Sequence, residues 1–352
     1  MYSKFFLVIF ELVLFDLDIN KFSLLFSINF TLSINSSNIN YKLYIIKKYL
    51  FLFVLILITI YVFKIFKYQN VKVCICTIIG KNENKYVREF VKYYKKLGVD
   101  KIFLYDNNDL DGENFDEVIH DYIKNGYVQI NTNYRGKSKI LYTIFNHCYR
   151  ENKLLYDWFI FYDFDEFIHL TNFTSIKKYL GDNRFKKCNV VYLFNIVHTD
   201  NDQIYYENKP LFERFPNFTL NYSRAIGISK IILRGNVSKV NFTNPHVLIN
   251  KYQCNSLGNK TKLKYQELYN KYFYYDHFYF KSTEEYYNKL KRGGVTSGKK
   301  IFVTNIFDFY FSVNKLTKEK IDYLENRSGL NLTEYRVRLN KSYNQQNKTS
   351  YF

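Results

Sequence analysis

From Val71 onward the apolar positions fall into two alternating periods. VKVCICTII reads as a strand and GKNE as a loop, after which Tyr86/Val87, Phe90/Val91, Tyr94 and Leu97 recur at helical spacing until Gly98, placed to stop the helix. VDKIFLYDN is the next strand, and residues 116–124 are a helix closed by Gly126. YVQINTNY is a third strand. Ile140/Leu141, Ile144/Phe145 and Cys148/Tyr149 then mark a helix leading into a strand from Trp158 to Tyr162, and VVYLFNIV is a further strand beyond it. Strands separated in this way by helices predict right-handed crossovers and a mainly parallel α/β sheet. No internal repeat of fixed period interrupts the alternation.

Upstream the pattern is different. Tyr49 to Phe63, YLFLFVLILITIYVF, runs fifteen residues without a charge between Lys47, Lys48 and Lys64. Crossing the hydrocarbon core takes about 20 residues. Ile65 and Phe66 lengthen the run and lysines can snorkel at both ends, so a single membrane span is expected over 47–67. A buried core helix is the competing reading, and the lack of any polar face argues against it. Lysines flank the span almost evenly and leave its orientation open. Residues 1–46 are apolar but broken by Glu11, Asp16 and Asp18; they receive no function. The folded domain is expected over 71–313, followed by a basic, Asn-rich tail over 314–352.

Charge and composition narrow the functional classes. The formal net charge of +19 could serve nucleic acid, an anionic membrane or a phosphate-bearing substrate. The basic residues are scattered among acids rather than gathered in a stripe, and Lys, Asn, Ile, Tyr and Phe are heavily used beside only 3 prolines, as AT-rich coding would produce. Nucleic acid is therefore not expected as a partner. The five cysteines (Cys74, Cys76, Cys148, Cys188, Cys254) form no framework in the sequence; Cys74-x-Cys76 has no matching second pair for zinc, and core packing is the expected role. Twelve Asn-x-Ser/Thr sequons occur, at Asn29, Asn35 and then only from Asn172 on, many of them attributable to the abundance of Asn.

One stretch departs from the apolar pattern in a way that calls for chemistry. FIFYDFDEFIHL, Phe159 to Leu170, places Asp163, Asp165 and Glu166 inside a run that otherwise reads as buried. Burying charge without a partner costs several kcal/mol. In an open parallel sheet, ligands bind beyond the C-terminal ends of the strands, where Asp106 follows IFLY and Asp163 follows FIFY. Asp163 and Asp165 would lie on one side of an extended segment, about 6–7 Å apart. Two carboxylates converging there suit Mn²⁺ or Mg²⁺ that also holds substrate phosphates, and the cation would neutralise the acids.

The block IIGKNENKYVREFVKYYKKLGVDKIFLYDNND, the segment YRGK, the run YDWFIFYDFDEFI, and later DNDQIYYENKPLFERF and HFYFKSTEEYYNKLKRG together resemble glycosyltransferase family 92 over about Val71 to Val313. The resemblance implies a GT-A nucleotide-sugar transferase fold, Rossmann-like, with a mainly parallel sheet flanked by helices behind an N-terminal transmembrane helix. It further implies a single-pass membrane protein, of the Golgi or ER in a eukaryote, that inverts the anomeric centre. The donor would be a nucleotide sugar, UDP-linked, with galactose one candidate, the acceptor a glycan, and the cofactor Mn²⁺ or Mg²⁺. His147 in FNHCY is a departure, standing where an acid is expected.

Carried over residue by residue, the resemblance places Asp163 at the ribose or cation, Asp165 on the cation, and Glu166 behind them as an orienting group. Asp106 and Glu83 would face the nucleoside, while Arg135 and Lys137 of YRGK would meet the leaving diphosphate, whose charge grows as the glycosidic bond breaks. A surface salt bridge is the alternative for Arg135. His246 and His277 are candidate late cation or diphosphate contacts; His277 is favoured because the basic run through Lys281, Lys289 and Arg292 follows it. Inversion needs a carboxylate apart from the cation acids to take the acceptor proton. TDND supplies Asp200 and Asp202, with Asp202 slightly favoured, Glu207 or Glu213 next, and an Asx turn as the alternative. A metal-dependent phosphodiesterase or nuclease and a non-catalytic sugar-nucleotide binder are the competing functions.

Overall fold

The computed structural model describes residues 48–60, 71–219, 230–244, 246, 248, 251–262, 270–293 and 307–349. The chain divides into two units, Met1–Asn70 and Val71–Phe352. In the first, residues 48–60 are helical, and Tyr49, Leu50, Phe51 and Leu52 are exposed. Among the described residues no helix is long and apolar enough to cross a membrane. The span expected over 47–67 runs past the described helix at both ends, and the segment 1–46 lies outside the described residues.

The second unit begins as the hydrophobic pattern predicts. β1 (Val73–Ile79), α1 (Asn84–Leu97), β2 (Lys101–Asp106), α2 (His120–Lys124), β3 (Val128–Asn131), α3 (Leu141–Asn152) and β4 (Trp158–Phe161) follow in order. Gly98 caps α1 at φ 92, a left-handed turn that glycine enters without a Cβ penalty. α2 starts later than expected. Phe115 and Ile119 are buried and joined by a backbone hydrogen bond, but Ile119 leaves helical geometry at φ −130, so the regular helix begins only at His120.

β1 through β4 are parallel, in the spatial order β3-β2-β1-β4. Both faces of β1, β2 and β4 are covered, which is why these strands are near-continuous apolar runs, whereas β3, VQIN at the sheet edge, is buried only at Val128. Val73, Ile75 and Ile79 of β1 pack with Phe90, Val91 and Tyr94 of α1, whereas Cys74, Cys76 and Ile78 pack with Ile144, Phe145 and Tyr149 of α3. The sheet continues beyond β4 through β9 (Ile231–Arg234), antiparallel to it, to β6 (Val190–Tyr192) and β10 (Gln253–Cys254).

A second sheet, in the order β5-β11-β7-β8, combines β5 (Glu166–Leu170), β11 (Phe273–His277), β7 (Phe194–His198) and β8 (Phe218–Thr219). Two runs that read as single strands are therefore divided between the sheets. VVYLFNIV breaks at Leu193 between β6 and β7, and FIFYDFDEFIHL breaks after Phe161, with β5 starting at Glu166. Asp163 and Asp165 occupy that passage from one sheet to the other, and Glu166 opens β5.

Short helices α4 (Ile176–Leu180) and α5 (Leu211–Arg214) and the capped α6 (Thr283–Arg292) fill the remaining connections. Residues 314–352, expected as a tail, instead carry α8 (Lys318–Ser328) and α9 (Thr333–Thr349) after α7 (Phe307–Val313). Phe307, Tyr310, Ile321, Leu324, Leu332 and Tyr335 of this region form a separate apolar cluster with Phe280 and Tyr286. The expectation of no cysteine framework is also corrected. Cys76–Cys148 ties β1 to α3, and Cys188–Cys254 ties the residues before β6 to β10, leaving buried Cys74 as the free thiol. The paired cysteines stand 72 and 66 residues apart, so the fold creates the pairing and no local spacing signals it. Loops of that length give a disulfide about 4 kcal/mol in the chain-entropy account.

Candidate active site

β2 and β3 lie to one side of β1 and β4 to the other, so the winding direction reverses between β1 and β4. Such a switch point opens a crevice outside the C-terminal strand ends. The loop Gly80–Glu83 after β1 and the acids after β4 both enter it. A pocket there is lined by Lys81, Glu83, Tyr86, Lys281, Lys289 and Arg292, among others.

The acids sit in a tight turn rather than an extended segment, with the Glu166 N–H donating to the Asp163 carbonyl at 3.1 Å. Glu166 returns the interaction, its Oε2 accepting from the Asp163 N–H at 2.9 Å. Asp165 and Glu166 are buried, and Asp163 keeps 43% of its side chain exposed. Each acid meets a lysine. Lys230 pairs with Asp163 and lies 3.3 Å from Glu166 Oε1; Lys281 donates to Asp165 Oδ2 at 3.0 Å, and Lys289 reaches the same oxygen at 3.3 Å. His277, at the end of β11, holds Nε2 3.7 Å from both Asp165 Oδ1 and Glu166 Oε1.

These environments separate the titrations. Burial opposes ionisation of Asp165, yet Lys281 and Lys289 hold its carboxyl well below the usual range. Glu166 is pushed up to about 8, by burial first and then by Asp163 and Asp165, against the pull of Lys230. Burial, aided by Lys289 and Lys230, holds His277 down at about 3 and leaves the imidazole neutral with a lone pair to offer.

One carboxylate oxygen from Asp165, one from Glu166 and one His277 nitrogen can all lie within 4.8 Å of one another. Glu166 Oε1 and His277 Nδ1 are buried without a hydrogen-bond partner. Asp165 Oδ1, Glu166 Oε1 and the His277 Nε2 that faces both of them are a donor set that fits a divalent cation of the Mn²⁺ or Mg²⁺ kind. In this arrangement Glu166 stands level with Asp165 and His277, while Asp163 stands beside them on Lys230.

Of the remaining expected residues, three reach the crevice. Glu83 accepts from Arg292 at 2.7 Å and from the Gly80 N–H at 2.9 Å, joining α6 to the loop after β1. Lys281 has a left-handed backbone, φ 57, rare for a residue with a Cβ and a form of strain that concentrates at functional positions. Asp106 and Arg135 form a pair at 2.8 Å, but Arg135 also donates to Asp109 O, Gly112 O and Asn114 Oδ1. Its N–H groups are spent on bracing the loop after β2. Lys137 is exposed, its ammonium 5.5 Å from the Tyr134 ring. His246 makes a backbone hydrogen bond to Asn244 Oδ1, and His147 bonds the Tyr105 hydroxyl at 3.0 Å.

Asp200 and Asp202 lie in a different setting. Asp200 is buried, paired with Lys320 at 2.7 Å and bonded by Tyr310, and its Oδ1 accepts the Asp202 N–H at 3.0 Å, an Asx turn. Asp202, at φ 59, keeps 55% of its side chain exposed and shares Lys320 at 2.9 Å. Glu207 and Glu213 are exposed, the former with Lys209 at 3.0 Å. Sequence reasoning missed Lys230 altogether. It precedes the apolar strand β9 and looks like an ordinary flanking lysine, and only the pairing of β9 with β4 brings it to the acids.

The fold and site together define a mixed α/β protein with a parallel-rich sheet and an acid-lysine-histidine cluster at its switch point. The sequence profile of glycosyltransferase family 92 matches residues 69–326, and the chain belongs to that family. A glycosyltransferase family 92 protein of Ricinus communis is 34% identical over 99 residues, 28% of this chain and 17% of its own length. One of Oryza sativa subsp. japonica is 29% identical over 114 residues, 32% of this chain and 19% of its own. These matches thus span less than a fifth of the relatives' length. S. aureus TarS 1–349 overlays with a TM-score of 0.31 at 14% identity, covering 73% of this chain and 78% of that one, too loosely to bear on fold or function.

Proposed function

We propose that this chain is a membrane-anchored, inverting glycosyltransferase of GT-A type, taking a sugar from a UDP-linked donor to a glycan acceptor with Mn²⁺ or Mg²⁺. The observation that carries the proposal is the convergence of Asp165, Glu166 and His277 beside Lys281 and Lys289 at the switch point. Asp165, Glu166 and His277 would hold the cation, which when bound supplies positive charge against the diphosphate. Lys281 and Lys289, already drawn to this point by Asp165, would face the diphosphate oxygens and stabilise the charge that grows there as the sugar departs. Glu83, fixed by Arg292, would address the nucleoside side of the pocket. Asp163 would contact the ribose. Of the two acids in TDND, Asp202 has the exposure an acceptor hydroxyl requires of a base, whereas Asp200 is closed off by Lys320 and Tyr310. Anchoring rests on the charge-free run to Phe63 and on the exposed apolar side chains of the helix over 48–60.

The test is a screen of nucleotide sugars with the detergent-solubilised full chain, reading released nucleoside diphosphate. Release from a UDP-sugar, dependent on added Mn²⁺ or Mg²⁺ and on a glycan acceptor, is expected. Release that persists undiminished in chelator would remove the cation from the scheme, and failure with every donor would remove the transferase.

A further inference from the structure

The sequons and the cysteines, which the donor site does not use, share one explanation. Between Val71 and Thr171 none of ten asparagines begins a sequon; from Asn172 on, ten of twenty-three do. Ser and Thr together make up about a tenth of the chain, so chance would supply two or three among those twenty-three. Placement sharpens the contrast. Every sequon asparagine whose side chain is described is exposed, while Asn108, Asn195 and Asn314, which begin no sequon, are buried. The sequon-free stretch supplies β1 to β4 and the loops of the switch point, where an attached glycan would obstruct a ligand.

The disulfides are an independent observation. Cys76, Cys148, Cys188 and Cys254 are all fully buried, and they join elements distant in sequence. Structural disulfides of this kind form and persist in oxidising compartments and are rare in the cytosol.

We propose that the unit from Val71 faces an oxidising secretory lumen and carries N-linked glycans at Asn172, Asn236, Asn259 and Asn331. Asn172 and Asn236 lie in turns after β5 and β9, Asn259 closes the turn after β10, and Asn331 joins α8 to α9. At Asn331, which is exposed, the side-chain oxygen accepts both the N–H and the hydroxyl of its own sequon Thr333, at 2.9 and 2.6 Å. In the modification, an Asn Nδ2 forms a bond to C1 of a lipid-diphosphate-linked oligosaccharide. The C1–O bond breaks, the lipid diphosphate leaves and the amide gives up a proton. Each cysteine pair passes two electrons and two protons to a disulfide oxidant of that compartment. The assignment also orients the anchor, placing the residues after the span in the lumen.

The experiment translates the full chain with endoplasmic-reticulum microsomes. An endoglycosidase-sensitive ladder is expected, and N172Q, N236Q, N259Q and N331Q should each remove one step. T174A should remove the same step as N172Q, which separates loss of the sequon from misfolding. Maleimide labelling of the denatured, unreduced product should find one thiol, Cys74, against all five after reduction. No ladder, or five reactive thiols before reduction, would overturn the proposal. Glycans confined to the helical sequons at Asn326 and Asn340 would overturn the site assignment. Neither readout needs a donor, so the transferase reading stands or falls separately.

Discussion

Glu166 and His277 lie 3.7 Å apart and are perturbed in opposite directions by the same burial, which gives the apo protein a definite pH signature. Unfolded, a Glu titrates at about 4.3 and a His at about 6.5. Glu166 keeps its proton in the fold up to about 8, so its contribution is full below the unfolded value and is lost as pH rises through the folded one. His277, held at about 3, contributes above the unfolded value and loses that contribution as pH falls. Between the two unfolded values the slopes cancel. In chelator the combined contribution of these two groups should therefore be level from roughly pH 4.5 to 6.5 and fall on either side, by up to about 1.4 kcal/mol per pH unit, over and above the decline up to about pH 7 that buried Glu285, pushed up to about 7, adds. Melting curves of E166Q should lose the part of the decline that lies between about pH 7 and 8, above the range of Glu285; an unchanged decline there would show that Glu166 is not its source. The same variant should bind Mn²⁺ at least tenfold more weakly, since losing even an outer partner of a metal ligand costs about 10–100-fold, and titration calorimetry at pH 8 reads this directly. Asp163 and Asp165 were legible in the sequence because charge interrupts an apolar run. The standing of Glu166 was not, because turn geometry decides which acid faces His277, and alternation along a strand does not describe a turn.

Elements show where reading by period stops. β1, α1, β2, β3, α3 and β4 were legible because each is one periodic run with one environment. VVYLFNIV looks like one strand, and the break at Leu193 is invisible because both halves are equally buried. The helices α8 and α9 were missed for the opposite reason, since their Asn and Lys content masks a narrow apolar stripe of Ile321, Leu324, Tyr335 and Leu339. Lys320 pins α8 to the TDND loop, buried with Asp200. Breaking a buried pair by removing one partner costs about 3–5 kcal/mol, so K320M should lower the melting temperature substantially by leaving Asp200 uncompensated. Asp200→Asn should behave as a turn residue, melting lower while keeping near-normal turnover per folded molecule. For Asp202→Asn the outcome expected of a base is a loss of about 10²–10⁴ in turnover with nucleotide affinity kept. Comparing turnover, nucleotide affinity and melting temperature for the two variants distinguishes these roles, and normal turnover in D202N would move the base to Glu207 or Glu213.

At the scale of the whole molecule, the parallel order β3-β2-β1-β4 gathers the site from distant segments: Glu83 from the loop after β1, the acids after β4, His277 from β11, and Lys281, Lys289 and Arg292 around α6. The first two were legible because a switch point follows from strand order. The lysines were legible only as a basic run, since their convergence on Asp165 depends on β11 pairing with β5. That convergence leads to a prediction about ligand preference. Lys281 and Lys289 already compensate one carboxylate, and a nucleoside diphosphate entering beside them would exchange that partner for phosphate oxygens. A ligand that binds only the folded state stabilises it by about 2.7 kcal/mol at a hundredfold excess over its dissociation constant. For a domain of this size that is a rise of roughly 5 °C or more in melting temperature. UDP with Mn²⁺ should produce such a shift in the detergent-solubilised full chain. UMP at the same concentration should produce a much smaller one, because it lacks the second phosphate the lysines would address. In K289M, which loses an ammonium without emptying Asp165 of its Lys281 partner, the gap between UDP and UMP should narrow while the unliganded melting temperature stays close to that of the parent. Equal shifts for UDP and UMP in the parent protein would mean that the lysine cluster is not where the diphosphate sits.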